Sequence, residues 1–305
     1  MPTRTASRDQ AVRTPLDRST TLTRELVHRD ALSEVLLSDL TTTETGFLAA
    51  VQWPRRHHYF RTNLGAVDVT LVAETLRQVT IAVAHVGFDV PAAHRFLMDR
   101  IQLVRLARRA DELAVDGLVT ADVTVVSARM ARGRLQALQL LVRFAAGATL
   151  LASGEGWLRV LPDEVYQRVR AAAPRSIAIE ADREAWSGRR APQFARGVRL
   201  RRVDAGAWDV DVDLSHPVLF DHRLDHLPGM LVVEACELAL AELVAAPALT
   251  LDAFDGTYRG FLELADGLQI RLREREPAGR GSAVFELLQG GVAQVTASVS
   301  ARIPS

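Results

Sequence analysis

The sequence predicts an α+β chain in which one plan is used twice, and three observations predict it. In each half an apolar helix is followed by several β-rich runs. A Pro-containing, charged stretch separates the halves. Sliding the chain on itself by 160 residues lays Leu71-Val72-Ala73-Glu74 on Leu231-Val232-Val233-Glu234.

In the first half, 32–40 and 47–53 read as two strands around a Thr-rich turn at 41–46. Pro54 cannot donate to a ladder and holds Trp53 extended, so 52–58 is expected to be a loop. Val69, Val72, Leu76, Val79 and Val83 recur at helical spacing, which predicts a helix over 68–85 that starts at Asp68 and ends at Gly87. Strands are expected at 96–106, 113–127, 135–144 and 148–160. Residues 1–21, with Arg4, Arg8, Arg13 and Arg18 among Ser and Thr, read as a flexible extension without a secretory h-region. That leaves 22–160 as the first repeat.

Residues 161–196, with Pro162, Pro174 and Pro192, read as a linker holding at most a short helix near 162–173. Residues 197–305 form the second repeat. Within it 208–214 alternates as a strand, 216–228 is a loop, 229–245 a helix, and strands are expected at 249–260, 268–274, 282–288 and 292–303. Arg199, Arg201 and Arg202 alternate with apolar residues, as on an exposed strand edge.

Composition narrows the function. The 305 residues carry 37 basic and 37 acidic side chains, so no overall field attracts nucleic acid or anionic membrane. Every basic side chain in that total is Arg, which removes lysine Schiff-base chemistry and the P-loop lysine. The single Cys236 excludes an internal disulfide or an iron–sulfur cluster and suits a reducing cytoplasm. Arg143 and Glu242 interrupt the richest apolar runs, so no membrane-spanning helix is expected.

The densest polar constellation is His216-Pro217-Val218-Leu219-Phe220-Asp221-His222-Arg223-Leu224-Asp225-His226-Leu227-Pro228-Gly229-Met230, which holds three of the eight histidines and runs straight into the second helix. That helix is apolar almost all round, so Glu234 must be hydrogen-bonded, paired or kept protonated. Next to histidines it is either general acid–base equipment or a structural pair with an arginine. On the first helix Glu74, Gln78 and His85 lie opposite the valine stripe beside Arg77. The simplest reading there is a solvated face with an i,i+3 ion pair, and the alternative is a site wall. His222 and His226 stand four apart, but the surrounding Pro and Gly argue for a loop, and no metal site is expected. No glycine-rich phosphate loop or Gly-x-Ser-x-Gly elbow is present.

The string from His216 through Asp221-His222, Asp225-His226 and Pro228-Gly229-Met230 to Glu234-Ala235 resembles the A-factor biosynthesis hotdog family, the AfsA-like γ-butyrolactone synthases of actinomycetes. Val27-His28, Glu34-Val35-Leu36-Leu37, Gln52-Trp53-Pro54-Arg55 with His58, and Glu74-Thr75 with Arg77-Gln78 are similar to the same family, so the resemblance spans about 22–300. Pro228-Gly229 to Glu234-Ala235 also looks like a segment of hotdog 3-hydroxyacyl dehydratases, which points to thioester substrates.

The resemblance implies two tandem hotdog folds, each a long helix wrapped by an antiparallel sheet. It implies transfer of a β-ketoacyl group from a coenzyme A or acyl-carrier-protein thioester to the hydroxyl of dihydroxyacetone phosphate, with no cofactor. The alternatives are a hotdog dehydratase or thioesterase, or a non-catalytic acyl binder. The expected partners are small-molecule substrates and an acyl carrier protein. Glu74, Glu234 and His226 become catalytic candidates. Arg77, Gln78, His58, Asp221, His222 and Gly229 become substrate-binding candidates, the amide near Gly229 as an oxyanion donor. One departure stands out: where the family carries Glu-Ala-x-Arg-Gln in its second repeat, this chain has Glu234-Ala235-Cys236-Glu237-Leu238. If Glu237 faces the acceptor it repels a phosphate, so either Arg77 or a loop arginine such as Arg223 substitutes or the acceptor is a neutral or cationic one; if it points elsewhere, the phosphate acceptor survives.

Overall fold

The computed structural model describes residues 16–60, 67–107, 118–171, 196–247, 249–264, 267–276 and 281–302. Alternating burial along the strands builds a single antiparallel sheet. The first half supplies β1 (Leu37–Thr42), β2 (Gly46–Gln52), β3 (Arg95–Arg105), β4 (Leu118–Ala131), β5 (Arg134–Ala146) and β6 (Thr149–Leu161). The second supplies β7 (Val198–Asp204), β8 (Ala207–Val212), β9 (Ala253–Tyr258), β10 (Leu268–Arg275), β11 (Gly281–Gln289) and β12 (Val292–Ala301). Their spatial order is β1-β2-β4-β5-β6-β3-β9-β12-β11-β10-β8-β7. Read from either end, the order within each half is the same, so a pseudo-twofold axis passes between β3 and β9. Those strands join the halves antiparallel, with Ile101 opposite Gly256 and Gln102 opposite Asp255. One apolar cluster runs through both halves.

Each half packs one long helix on its strands, as the resemblance implies: α1 (Val69–Phe88) on the first half and, in the second, the helix Met230–Leu243. Asp68 caps α1 by accepting from the Thr70 amide at 2.8 Å. The helix passes through Gly87, where the sequence placed its end, and stops at Asp89, whose φ of 52° is left-handed. Gly87 is needed for closeness rather than for termination, since a Cβ there would stand 2.2 Å from the Phe47 ring. Gly154 on β6 serves the same purpose beneath α1, where a Cβ would meet Leu76 at 2.9 Å.

α1 is long and apolar enough to cross a membrane, against the sequence expectation, but 89% of its apolar stretch is buried inside the fold. It is a core helix, each fully buried Leu or Val adding about 1.5–3 kcal/mol. The expected solvated face is also absent: Glu74, Gln78 and His85 are all buried. The stretch read as linker holds α2 (Asp163–Arg170), and residues 172–195 lie outside the described residues. The second long helix is therefore α3 (Met230–Leu243). The expected extension is described from residue 16 only.

Candidate active site

The middle of α1 faces the second half and carries a buried ionic cluster. Glu74 Oε1 accepts from Arg29 Nε at 3.1 Å, Arg77 Nη2 at 2.9 Å and Gln78 Nε2 at 2.7 Å, and its Oε2 accepts from Arg77 Nε at 2.9 Å. Burial pushes this carboxyl up, but the Arg29 and Arg77 charges and the donated hydrogen bonds outweigh it and hold it at about 2. Glu74 is thus a permanent anion with its acceptor sites occupied. Arg29 continues across the pseudo-dyad, its Nη1 donating to the Val218 carbonyl at 2.7 Å and pairing with Asp221 at 2.9 Å. Gln78 is fully occupied, donating to the Glu34 carbonyl at 2.7 Å and accepting from the Leu36 amide at 2.9 Å. Arg77 commits Nε and Nη2 to Glu74 and to the Val27 carbonyl; its Nη1 has no partner among the described residues.

The histidine-rich loop sorts into supports and tools. His216 Nδ1 accepts from the amides of Val218 and Leu219, and His57 does the same in the first half with Tyr59 and Phe60, so both hold turns. His222 Nδ1 lies 2.5 Å from Asp221 Oδ1, and His226 Nδ1 lies 2.7 Å from Asp225 Oδ1. A carboxylate beside Nδ1 selects the Nδ1–H tautomer and leaves the Nε2 lone pair outward. Burial raises both aspartyl carboxyls, but donation from their histidines, helped by Arg29 at Asp221 and by Tyr166 and Arg170 at Asp225, keeps them well below the usual range.

Both dyads open on one cavity of about 810 Å³ between the halves, whose wall includes His28, Glu74, Arg77, His222, His226 and Gly229. The start of α3 forms part of the same wall. Unlike α1 it has no side-chain cap, and the amides of Gly229 and Met230 take no acceptor among the described residues. Their N–H groups and the helix dipole favour negative charge in the cavity.

The pseudo-equivalent carboxylate in the second half is held by other side chains. Glu234, fully buried, accepts from Tyr59 Oη at 2.9 Å and from Arg196 Nε at 2.8 Å. Burial raises its carboxyl to about 7 despite Arg196 and Tyr59, which act in the opposite direction. Glu237, one repeat from Arg77, binds Arg196 Nη2 at 2.7 Å and the Leu251 amide at 3.2 Å. Arg196 answers the reversal of charge, and Glu237 is no part of the cavity wall.

Of the sequence candidates, the cavity wall unites Glu74, Arg77, His222, His226 and Gly229. Glu234 stands behind Tyr59, which itself lines the cavity; Gln78 and Asp221 support wall residues; His58 is exposed and stacks on His57 at 4.4 Å, off the wall. Arg29, Tyr59, Tyr166 and Arg196 were not found from sequence, because each acts on a residue at least 38 positions away. Among the described residues no group of three or more His, Cys, Asp or Glu side chains is placed to hold a metal ion.

The A-factor biosynthesis hotdog domain matches this chain over residues 11–162 and 193–303. A 2-oxo-3-(phosphooxy)propyl 3-oxoalkanoate synthase of Streptomyces virginiae is 32% identical over 224 residues, 72% of this chain and 76% of that protein. A synthase of the same name from Streptomyces coelicolor is 31% identical over 244 residues, 76% of this chain and 75% of that protein. Among solved structures, the 12:0-ACP thioesterase from Umbellularia californica superposes with a TM-score of 0.47 at 12% identity, over 84% of this chain and 97% of that one. The chain belongs to the A-factor biosynthesis hotdog family.

Proposed function

We propose that the chain is an acyltransferase that joins a 3-oxoacyl group, delivered as a coenzyme A or acyl-carrier-protein thioester, to the hydroxyl of dihydroxyacetone phosphate. The name its relatives carry describes that ester. The observation that carries the reading is one cavity holding the uncapped start of α3, the Asp225–His226 dyad and an Arg77 whose Nη1 has no partner among the described residues.

In this reading the thioester carbonyl lies against the Gly229 and Met230 amides. His226 Nε2 takes the proton of the acceptor hydroxyl while Asp225 holds Nδ1–H, and the alkoxide oxygen attacks the carbonyl carbon. The tetrahedral oxyanion is stabilised by the amides, the C–S bond breaks as the ester C–O bond stands, and His226 returns its proton to the thiolate. Arg77 and His222, on the same cavity wall, hold the phosphate, and Arg223 and Arg259, exposed on that wall, extend positive charge to the phosphates of the donor. Glu74, ionised and saturated, positions Arg29 and Arg77 instead of accepting a proton. Glu237 leaves the phosphate subsite free of repulsion. The thioester supplies the activation, so no cofactor is called for. The ester feeds γ-butyrolactone-type signalling molecules, and the reaction belongs in the cytoplasm, where Cys236 stays reduced.

The test incubates the protein with a 3-oxoacyl thioester and dihydroxyacetone phosphate and looks for the phosphorylated ester by mass spectrometry. The ester should require both substrates and fall sharply in the His226→Gln variant. Thiol release independent of acceptor would make the protein a thioesterase; tight acyl binding without turnover would make it a binder.

A further inference from the structure

We propose that α2, from the segment that joins the two repeats, carries two positioning residues for the reaction, Tyr166 and Arg170, which orient and tune the Asp225–His226 dyad. This rests on the reading of His226 as the base. Tyr166 Oη donates to Asp225 Oδ1 at 2.7 Å, the same oxygen that faces His226 Nδ1. Arg170 donates through Nε to Asp225 Oδ2 at 3.1 Å and through Nη2 to the Asp225 carbonyl at 2.7 Å. The side chain of Arg170 is nearly buried, forked onto Glu263 at 2.8 and 2.7 Å, and its guanidinium lies 4.4 Å from the Phe261 ring. Phe261 meets the His226 imidazole edge-on at 4.9 Å. Thus α2 fixes both oxygens of Asp225, its backbone, and the aromatic surface against which His226 rests.

Such an arrangement does more than staple a helix. A carboxylate that receives two further donors and lies against a fixed cation shares its charge among them, so losing a donor leaves more of that charge on the imidazole. It also leaves the ring a single orientation toward the start of α3. Among the described residues Glu263 faces Arg170 and Arg95, itself paired with Asp163, faces Tyr166 at 5.7 Å, while His222, Arg223 and Arg259 share the cavity wall with His226.

The experiment follows His226 by ¹⁵N NMR of the imidazole, assigned with His226→Gln, in wild type, Tyr166→Phe, Arg170→Gln and Arg170→Lys, alongside pH profiles of kcat. The titration midpoint of His226 should rise by about half a unit in Tyr166→Phe and about one unit in Arg170→Gln. The acid limb of kcat should move with it, kcat at neutral pH should fall roughly tenfold, and KM should change little. Arg170→Lys should restore the midpoint, keeping charge near Asp225, but only part of the rate. A midpoint that moves while rates do not follow supports the positioning and removes His226 from its role as base. A midpoint unmoved in both Tyr166→Phe and Arg170→Gln overturns the proposal, whatever the rates do.

Discussion

Glu74 and Glu234 occupy the same place in the two repeats, 160 residues apart, and have opposite electrostatic fates. Glu74 lies between two arginines and a glutamine and is an anion near every working pH. Glu234 shares one arginine with Glu237, leans on a tyrosine, and titrates near 7. The helices differ in the same sense, α1 capped by its own aspartate and α3 starting bare at the cavity. The pseudo-twofold fold offers two equivalent positions, and their side chains serve them differently. At matching positions Arg77 pairs with Glu74 in one repeat and Glu237 pairs with Arg196 in the other, and the proposed reading makes the Arg77 side the one that meets an anionic ligand.

The difference can be broken at several points. His226→Gln should lower kcat roughly a thousandfold with little change in stability, as measured by steady-state kinetics and thermal unfolding. Glu74→Gln should cost about 3 kcal/mol, because Arg29 and Arg77 lose their shared anion in the interior, and denaturant midpoints would show it. The same change at Glu234 behaves differently. A carboxyl raised from 4.5 to about 7 adds stability that is complete below 4.5 and lost as pH rises through 7. Wild type should therefore lose up to about 3 kcal/mol relative to Glu234→Gln over that window. Glu74, with its lowered value, adds stability that is present above 4.5 and lost as pH falls through about 2. Urea titrations across pH would separate the two.

Smaller effects sharpen the picture. Arg77→Met should raise KM for dihydroxyacetone phosphate by about 10- to 100-fold, the worth of one charged hydrogen bond, and leave dihydroxyacetone itself almost unaffected. Glu237→Arg should give no gain with the phosphorylated acceptor, since the position is off the cavity wall, and should destabilise by about 2 kcal/mol as Arg196 and the Leu251 amide lose their acceptor. A gain in kcat/KM there would place Glu237 in the acceptor subsite after all.

Much of the fold was legible because its signals are local. The valine spacing and Asp68 marked α1, the repeated order of elements marked the duplication, and the alternating arginines at Arg199 and Arg201 marked β7 at the sheet edge. Gly87 misled because a packing glycine and a terminating glycine look alike until Phe47 is in place. The buried face of α1 was hidden for a similar reason: Glu74 looks solvated until Arg29 covers it, Gln78 until the 34–36 segment does, and His85 until His28 and Phe96 do. At the site, the histidine loop and Glu74 stood out by density and resemblance. Their governors did not, since Arg29, Arg196, Tyr59 and Tyr166 reach them through tertiary structure alone. A stretch rich in Pro and charge read as a linker, yet its short helix reaches Asp225.

The proposed reaction needs one composite site per chain, at the first of two equivalent positions. Isothermal titration with a 3-oxoacyl-coenzyme A analogue in which a methylene replaces the thioester sulfur tests that directly. One equivalent bound per chain, with affinity weakened by His226→Gln or Arg223→Glu and unaltered by Glu234→Gln, is the predicted result. Two equivalents per chain, or binding that depends on Glu234 and ignores the cavity residues, would contradict it.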